Sequence, residues 1–459
     1  MTSEREQVEG AQQEEVQPEP MSLAMASDVI FPSDWQHCSL EDAMDAIIDY
    51  RGKSPTKTSS GIPLITARVV KDGRILTPDE FIAPEEYEEW MRRGLPHAGD
   101  VLITTEAPLG EVAQLDGRKV ALAQRLIALR GKPGVMDNTF LKFLLKSQPI
   151  QDALKARSTG TTVSGIRQSE LRKIQLPIPT IEEQHAIAHI LGTLDDKIEL
   201  NRKMNGTLEA MARALFKSWF VDFDPVHAKA EGRDPGLPAH LAALFPDSFE
   251  DSELGEIPTG WSAGSLADFA LLNSESWTKS TRPRIIQYVD LGNTKWGRID
   301  SITQYASNDA PNRAQRILRG GDTIVGTVRP GNGSYALVTE DGLTGSTGFA
   351  VLRPQIPEYQ EYVYLAATAR DNIYALAHLA DGGAYPAIRP EVVTATRVVR
   401  PPHEVVERIS KSVGTSLAKM AFNERESRTL TAIRDSLLLK LISGDLRVGK
   451  AAELVEAAI

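Results

Sequence analysis

At 459 residues, with 41% hydrophobic and 25% charged residues, the chain has the composition of ordinary globular protein and the length of two to four domains. The single cysteine, Cys38, excludes an intramolecular disulfide framework, and no apolar run approaches the roughly 20 residues of a membrane span, so the expected location is the cytoplasm. The net charge of −11 argues against nucleic acid only until its distribution is seen: residues 1–20 hold six Glu and one Arg, and residues 245–258 hold Asp247, Glu250, Asp251, Glu253 and Glu256 with no base. The rest of the chain is nearly neutral, and a nearly neutral domain can present one basic face.

In chain order, residues 1–26 read as a disordered acidic extension. Residues 27–179 have a mixed texture. Short β-like runs (Pro63 to Thr66, Asp100 to Thr104, Leu126 to Leu129) alternate with Gly/Pro turns, and a helical patch spans Thr139 to Lys146. Thr180 with Glu183 three residues later forms a capping-box signature after Pro179, and a long helix is expected over 180–222. Its apolar positions Ile187, Leu191, Leu194, Ile198, Leu208 and Leu215, with Asn201 among them, follow steps of 4 and 3, which is a coiled-coil seam. Residues 223–258 read as an acidic, Pro-rich linker, 259–402 as a second globular unit, 403–445 as a second long helix and 446–459 as a tail. The second seam is Ile409, Val413, Met420, Asn423, Leu430, Leu437 and Leu441. Two such helices in one chain most simply pair antiparallel, and a buried Asn at a seam position fixes register at some cost in stability.

The chain also repeats itself. Gly99-Asp100-Val101-Leu102-Ile103 recurs as Gly321-Asp322-Thr323-Ile324-Val325, 222 residues on. The same offset carries Pro108 to Pro330, Ile166-Arg167 to Ile388-Arg389, Pro179 to Pro401 and Asn201 to Asn423. Upstream, Pro32, Trp35 and Ser39-Leu40 match Pro258, Trp261 and Ser265-Leu266 at an offset of 226. A repeat this long is a duplicated domain, not a solenoid period, and implies a pseudo-twofold molecule with two similar, non-identical surfaces.

Catalytic signatures fail. Gly160 to Gly165 has the glycine spacing of a phosphate loop, but Ile166-Arg167 stands where Lys-Ser/Thr is required. His185 and His189 lie four apart, yet Ala186 replaces the glutamate of a zinc protease and no third ligand is evident. Gly331-Asn332-Gly333 lacks a strand–glycine–helix context, and no Ser–His–Asp or Cys–His arrangement stands out. What remains is a set of loops rich in Gly, Thr, Ser and Arg. They supply candidate contacts to phosphates and base edges: Arg51, Lys53, Thr104, Thr105, Thr161, Thr162 and Arg167 in the first unit, and Arg329, Asn332, Tyr385 and Arg389 in the second.

The stretch from Ser158 to Phe223, with the blocks Gly99 to Leu115, Tyr50 to Val70 and Phe245 to Trp261, resembles the specificity subunits of Type I restriction–modification systems, in order and spacing as well as wording. The resemblance covers nearly the whole chain after residue 30 and implies an α+β protein. Two globular mixed α/β target-recognition domains would be separated by two long helices forming an antiparallel coiled coil. Each domain would read one half of a bipartite site on double-stranded DNA. The helices would set the unread spacer and dock two methyltransferase subunits, with restriction/translocase subunits joining in the full complex. No catalytic centre, cofactor or metal is implied. Ala384-Tyr385-Pro386-Ala387-Ile388 departs from the Thr/Ser-rich wording seen at Thr161 to Ile166. Two rivals stand beside this reading. One is a protein-binding assembly scaffold without DNA reading. The other is an autonomous methyltransferase, for which the chain lacks both a cofactor glycine loop and the Asn/Asp-Pro-Pro-aromatic tetrapeptide; Asp224-Pro225-Val226 is its nearest approach.

Overall fold

The computed structural model describes residues 31–456 except 51, 53, 161, 162, 279 and 384; the acidic extension expected over 1–26 lies outside the described residues. The chain divides into two compact units, and the division falls inside both long helices. One unit holds the residues up to Glu199 and those from Ser427 on; the other is Leu200–Glu426. The helices run Ile181–Phe220 and His403–Ile442, 40 residues each, or about 60 Å at 1.5 Å per residue. No described helix is long and apolar enough to cross a membrane.

The first unit is built on a four-stranded antiparallel sheet in the order Met44–Asp49, Leu126–Gly131, Val101–Thr105, Leu109–Gln114. The three best β-like runs of the sequence are all strands here, because each is apolar enough to be buried on both faces. Helix Asn138–Lys146, capped by the Asp137 carboxylate, backs the sheet with Phe140, Leu141, Leu144 and Leu145. Gln36–Ser39 pairs with Gln175–Ile178, which brings the start and end of the globular part together. Into the same core come Ile187, Leu191, Leu194 and Ile198 from the first long helix and Leu430, Leu437 and Leu441 from the second, all buried as the seam requires. Asp195 lies between the helices' polar groups, accepting from Lys142 Nζ (2.8 Å) and from the Arg434 guanidinium (2.6 Å). The expected tail is not one: Val448–Glu456 is a helix with Ala451 and Val455 buried in this core.

The second unit repeats the sheet order with Ala270–Leu272, Phe349–Pro354, Thr323–Gly326 and Tyr335–Leu337. It adds a second, mixed sheet of Thr303–Ala306, Ile285–Val289, Leu343–Ser346 and Ala314–Ile317. Here the long helices supply Phe216, Trp219 and Phe220 on one side and Val405, Ile409, Val413 and Leu417 on the other. Asn201 and Asn423 are both buried. Asn201 donates to Glu426 (2.6 Å) and to the Asn423 carbonyl (3.4 Å), Asn423 donates to Asn205 Oδ1 (2.8 Å), and Asn205 donates to the Met420 carbonyl (3.2 Å), an antiparallel pairing.

The stretch 223–258, expected as a linker, is folded. Asp224–Ala230 is helical, Phe249–Ser252 and Gly255–Pro258 form a hairpin, and Phe245 packs against Trp219 and Trp261. Its acidic composition hid a few apolar anchors, Val226, Phe245 and Ile257, each at most 2% exposed.

Both units keep the same buried ion pair. Arg130 grips Asp100 with two bonds of 2.8 Å, and Arg353 grips Asp322 with bonds of 2.9 and 2.8 Å. In each case a backbone N–H three residues upstream, of His97 or Arg319, donates to the same carboxylate.

Candidate nucleic-acid interface

In each unit one sheet strand ends in a turn that is tied to a Gly-containing loop, and the ties are the same. In the first unit the Ile166 N–H donates to the Thr105 carbonyl (2.9 Å), and Thr159 and Gly165 exchange two backbone bonds. In the second, Ile388 N–H donates to the Thr327 carbonyl (2.9 Å), and Asp381 and Ala387 exchange two. Left-handed backbone recurs at matching residues, φ 47 and 48 at Ala107 and Arg329 and φ 114 and 112 at Gly160 and Gly382. A common frame therefore presents unlike side chains.

Two sequence candidates are corrected by burial. Thr104 and Thr105 are 0% and 2% exposed. Thr104 Oγ1 accepts from the Glu111 N–H, and Thr105 spends its backbone groups on Arg125 and Ile166. Both hold the strand end and the frame and do not reach the surface. Arg51, Lys53, Thr161 and Thr162 lie outside the described residues. Arg167 and Arg389 are exposed, each in extended conformation just before a short helix, Gln168–Arg172 and Pro390–Thr394.

In the second unit the frame brings three candidates together. The Arg329 guanidinium lies 4.5 Å over the Tyr385 ring, and the Asn332 N–H donates to the Arg329 carbonyl (2.9 Å). Tyr385 is 71% exposed, and Arg329 and Asn332 are exposed too. Arg329 precedes the single turn Pro330–Asn332.

A feature absent from the candidate set lies beside this turn. Thr294–Lys295 and Arg298–Ile299 form a hairpin with Trp296-Gly297 at its tip; Val70–Lys71 and Arg74–Ile75 form its counterpart with Asp72-Gly73. The signal was present in the sequence as Lys-x-Gly-Arg-Ile at 71–75 and again at 295–299, an offset of 224 that bridges the upstream 226 and the downstream 222. Each hairpin is seated on polar groups from the helical part of its own unit. A Cβ on Gly73 would meet Lys146 Nζ at 2.8 Å; one on Gly297 would meet the Tyr364 hydroxyl at 3.0 Å. Burial pushes the Lys146 ammonium down, and Arg434 adds to the effect. Under the second hairpin, Arg213 of the first long helix binds Glu209 (2.8 Å), the Thr368 carbonyl (3.0 Å) and the Tyr335 hydroxyl (3.4 Å).

The described residues hold no cluster of metal-ligating side chains. From residue 280 to 316 the second unit carries Arg282, Arg284, Lys295, Arg298, Arg313 and Arg316 against Asp290, Asp300 and Asp309, an excess of base that suits a polyanion.

The Type I restriction modification DNA specificity domain matches residues 32–210. Over 439 residues the chain is 25% identical to the MjaIX Type I restriction enzyme specificity subunit of Methanocaldococcus jannaschii, covering 91% of this chain and 94% of that one. It is 28% identical over 362 residues to the HindI specificity subunit of Haemophilus influenzae, covering 67% and 77% respectively. The crystal structure of a Type-I restriction–modification S subunit from M. genitalium shares the fold over 89% of this chain and 96% of that one, with a TM-score of 0.51 at 18% identity. Residues 32–210 thus carry a Type I restriction modification DNA specificity domain, and over nearly its whole length the chain is similar to specificity subunits of Type I restriction–modification systems, one of which shares its fold.

Proposed function

We propose that this chain reads a bipartite site on double-stranded DNA, one half with each globular unit, and that its two long helices set the spacer and dock two methyltransferase subunits in the cytoplasm. The observation that carries this reading is the duplicated frame. The same strand-end turn and Gly loop, tied by the same backbone bonds, present Ala107 and Val163 in one unit and Arg329 and Tyr385 in the other. A duplicated scaffold with divergent exposed side chains is what two different half-sites on one duplex require. Arg167 and Arg389 take the phosphate-contacting role, and the buried Asn201–Asn423 layer holds helix register. Leu200, Met204 and Met211 on the first helix and Phe422 on the second stay 36–61% exposed, an apolar surface suited to a protein partner. Restriction/translocase subunits join the same assembly where the system cleaves.

The test is a genome-wide map of methylated adenine in cells expressing the partner methyltransferase with and without this chain. A new bipartite motif with fixed spacer, present only with the chain, is expected. Its absence from cells with an active methyltransferase contradicts the reading and favours an assembly scaffold.

A further inference from the structure

The two Lys-x-Gly-Arg-Ile hairpins differ at one residue. Both tips use left-handed backbone twice, φ 53 and 83 at Asp72 and Gly73 and φ 46 and 88 at Trp296 and Gly297. Asp-Gly is what such a two-residue turn selects, because aspartate tolerates this conformation and glycine is indifferent to it. A bulky aromatic residue there is strained, and strain of this kind collects at functional positions. Burial does not offset it, since Trp296 is 43% exposed.

The surroundings hold the indole in place. The Trp296 backbone N–H donates to the Gly333 carbonyl (2.7 Å), a Cβ on Gly333 would come within 2.5 Å of the ring, and Tyr335 meets it edge-on at 5.9 Å. Gly333 closes the turn that Arg329 opens, and Arg329 covers Tyr385. Three segments distant in sequence thus place an indole, a guanidinium and a phenol around one turn, with Lys295 and Arg298 flanking the tip. In the first unit the matching positions hold Asp72, Ala107 and Val163, so the ridge belongs to the second unit alone.

We infer that Trp296, with Arg329 and Tyr385, forms a specificity-determining DNA contact in the second unit, the indole lying against a base step while the two cations flanking the hairpin tip meet phosphates. This rests on the reading of that unit as a DNA reader. Aromatic faces stack on bases or wedge between them, and arginine serves phosphates or guanine edges. Glu209, Arg213 and Tyr364, beneath Gly297, are the positioning residues that seat the hairpin.

The test maps methylated adenine in cells carrying the partner methyltransferase and either the wild-type chain, Trp296→Asn or Trp296→Phe. Asparagine suits the turn, so Trp296→Asn removes the ring while easing the backbone; co-purification with the methyltransferase checks assembly. At least a tenfold loss of base preference is expected in one half of the motif only, largely restored by Trp296→Phe. A wild-type motif that Trp296→Asn leaves unchanged overturns the inference and spares the bipartite reading. Equal loss of base preference in both halves also overturns it, by making Trp296 a fold residue. A wild-type chain that yields no motif overturns the bipartite reading itself, and the inference with it.

Discussion

Where the first unit carries Lys142, Asp195 and Arg434 bonded to one another, the second carries Tyr364, Leu417 and Ala212 at positions 222 residues away, each at most 4% exposed. The polar contact with the globular part moves to a neighbouring position, Arg213, which reaches Thr368 and Tyr335. The backbone frame is common to both units, down to matching left-handed residues and strand ties. The side chains that fasten the helices to it are not. Duplication preserved what holds the loops and left free both the loop tips and the polar fastenings.

The largest effect expected from breaking this comparison is at Asp195. Asp195→Ala leaves Lys142 buried without its anion and Arg434 with Asp435 alone, and should destabilise the first unit by about 3–5 kcal/mol in urea unfolding. Leu417→Ala, at the matching position, should cost the second unit about 2–4 kcal/mol through lost packing. Importing the apolar set as Lys142→Tyr, Asp195→Leu and Arg434→Ala together should come within about 1 kcal/mol of wild type or exceed it. A loss as large as that of Asp195→Ala alone would show that the ion cluster is not interchangeable with the apolar one.

The two units also bury carboxylates of opposite sign in their pH behaviour. Burial raises the Glu361 carboxyl, which accepts from Ser410 and Gln360 and has no cation beside it among the described residues. Its ionisation therefore opposes folding above its raised value, and the penalty is gone below the ordinary 4.5. Glu361→Gln should stabilise the second unit by on the order of 1 kcal/mol at neutral pH and lose that advantage in acid. Asp195 runs the other way. Burial would raise it, but Lys142 and Arg434 outweigh burial and hold it below 3.8, so its ionised form supports folding at neutral pH and that support fades as pH falls through the lowered value. Thermal melts of Glu361→Gln and Asp195→Asn should shift in opposite directions at neutral pH, and both shifts should shrink in acid.

Smaller effects separate frame from surface. Thr104→Val removes the acceptor for the Glu111 N–H and should cost about 1 kcal/mol of stability without altering DNA preference. Arg167→Ala should leave the melt unchanged and reduce the slope of log affinity against log salt by about one. If Thr104→Val changed base preference in a fully folded chain, the assignment of Thr104 to the frame would fall.

The sheet strands, both helix seams and the repeat were legible in the sequence because apolar period and wording are local. Leu191, Leu194 and Ile198 announce a seam wherever they fold. The burial of Thr104 and Thr105 was not legible, since a threonine at a strand end reads alike whether the sheet's second face is covered or open. Residues 223–258 misled because eight acidic side chains outweighed three apolar anchors, and the aromatic partners of Phe245, Trp219 and Trp261, flank the stretch. Arg213 and Arg434 act through groups more than 50 residues away, which no local pattern encodes. The Lys-x-Gly-Arg-Ile pair was readable all along, at an offset between the two already counted.

The most direct test of two independent readers on one frame is a chain in which residues 258–401 are replaced by residues 32–179, joined at equivalent prolines, Pro32 for Pro258 and Pro179 for Pro401. With the partner methyltransferase co-purifying, the account predicts that the methylated motif becomes symmetric, the first unit's half-site appearing twice in opposite orientation on the duplex. An unchanged asymmetric motif in that background would contradict it.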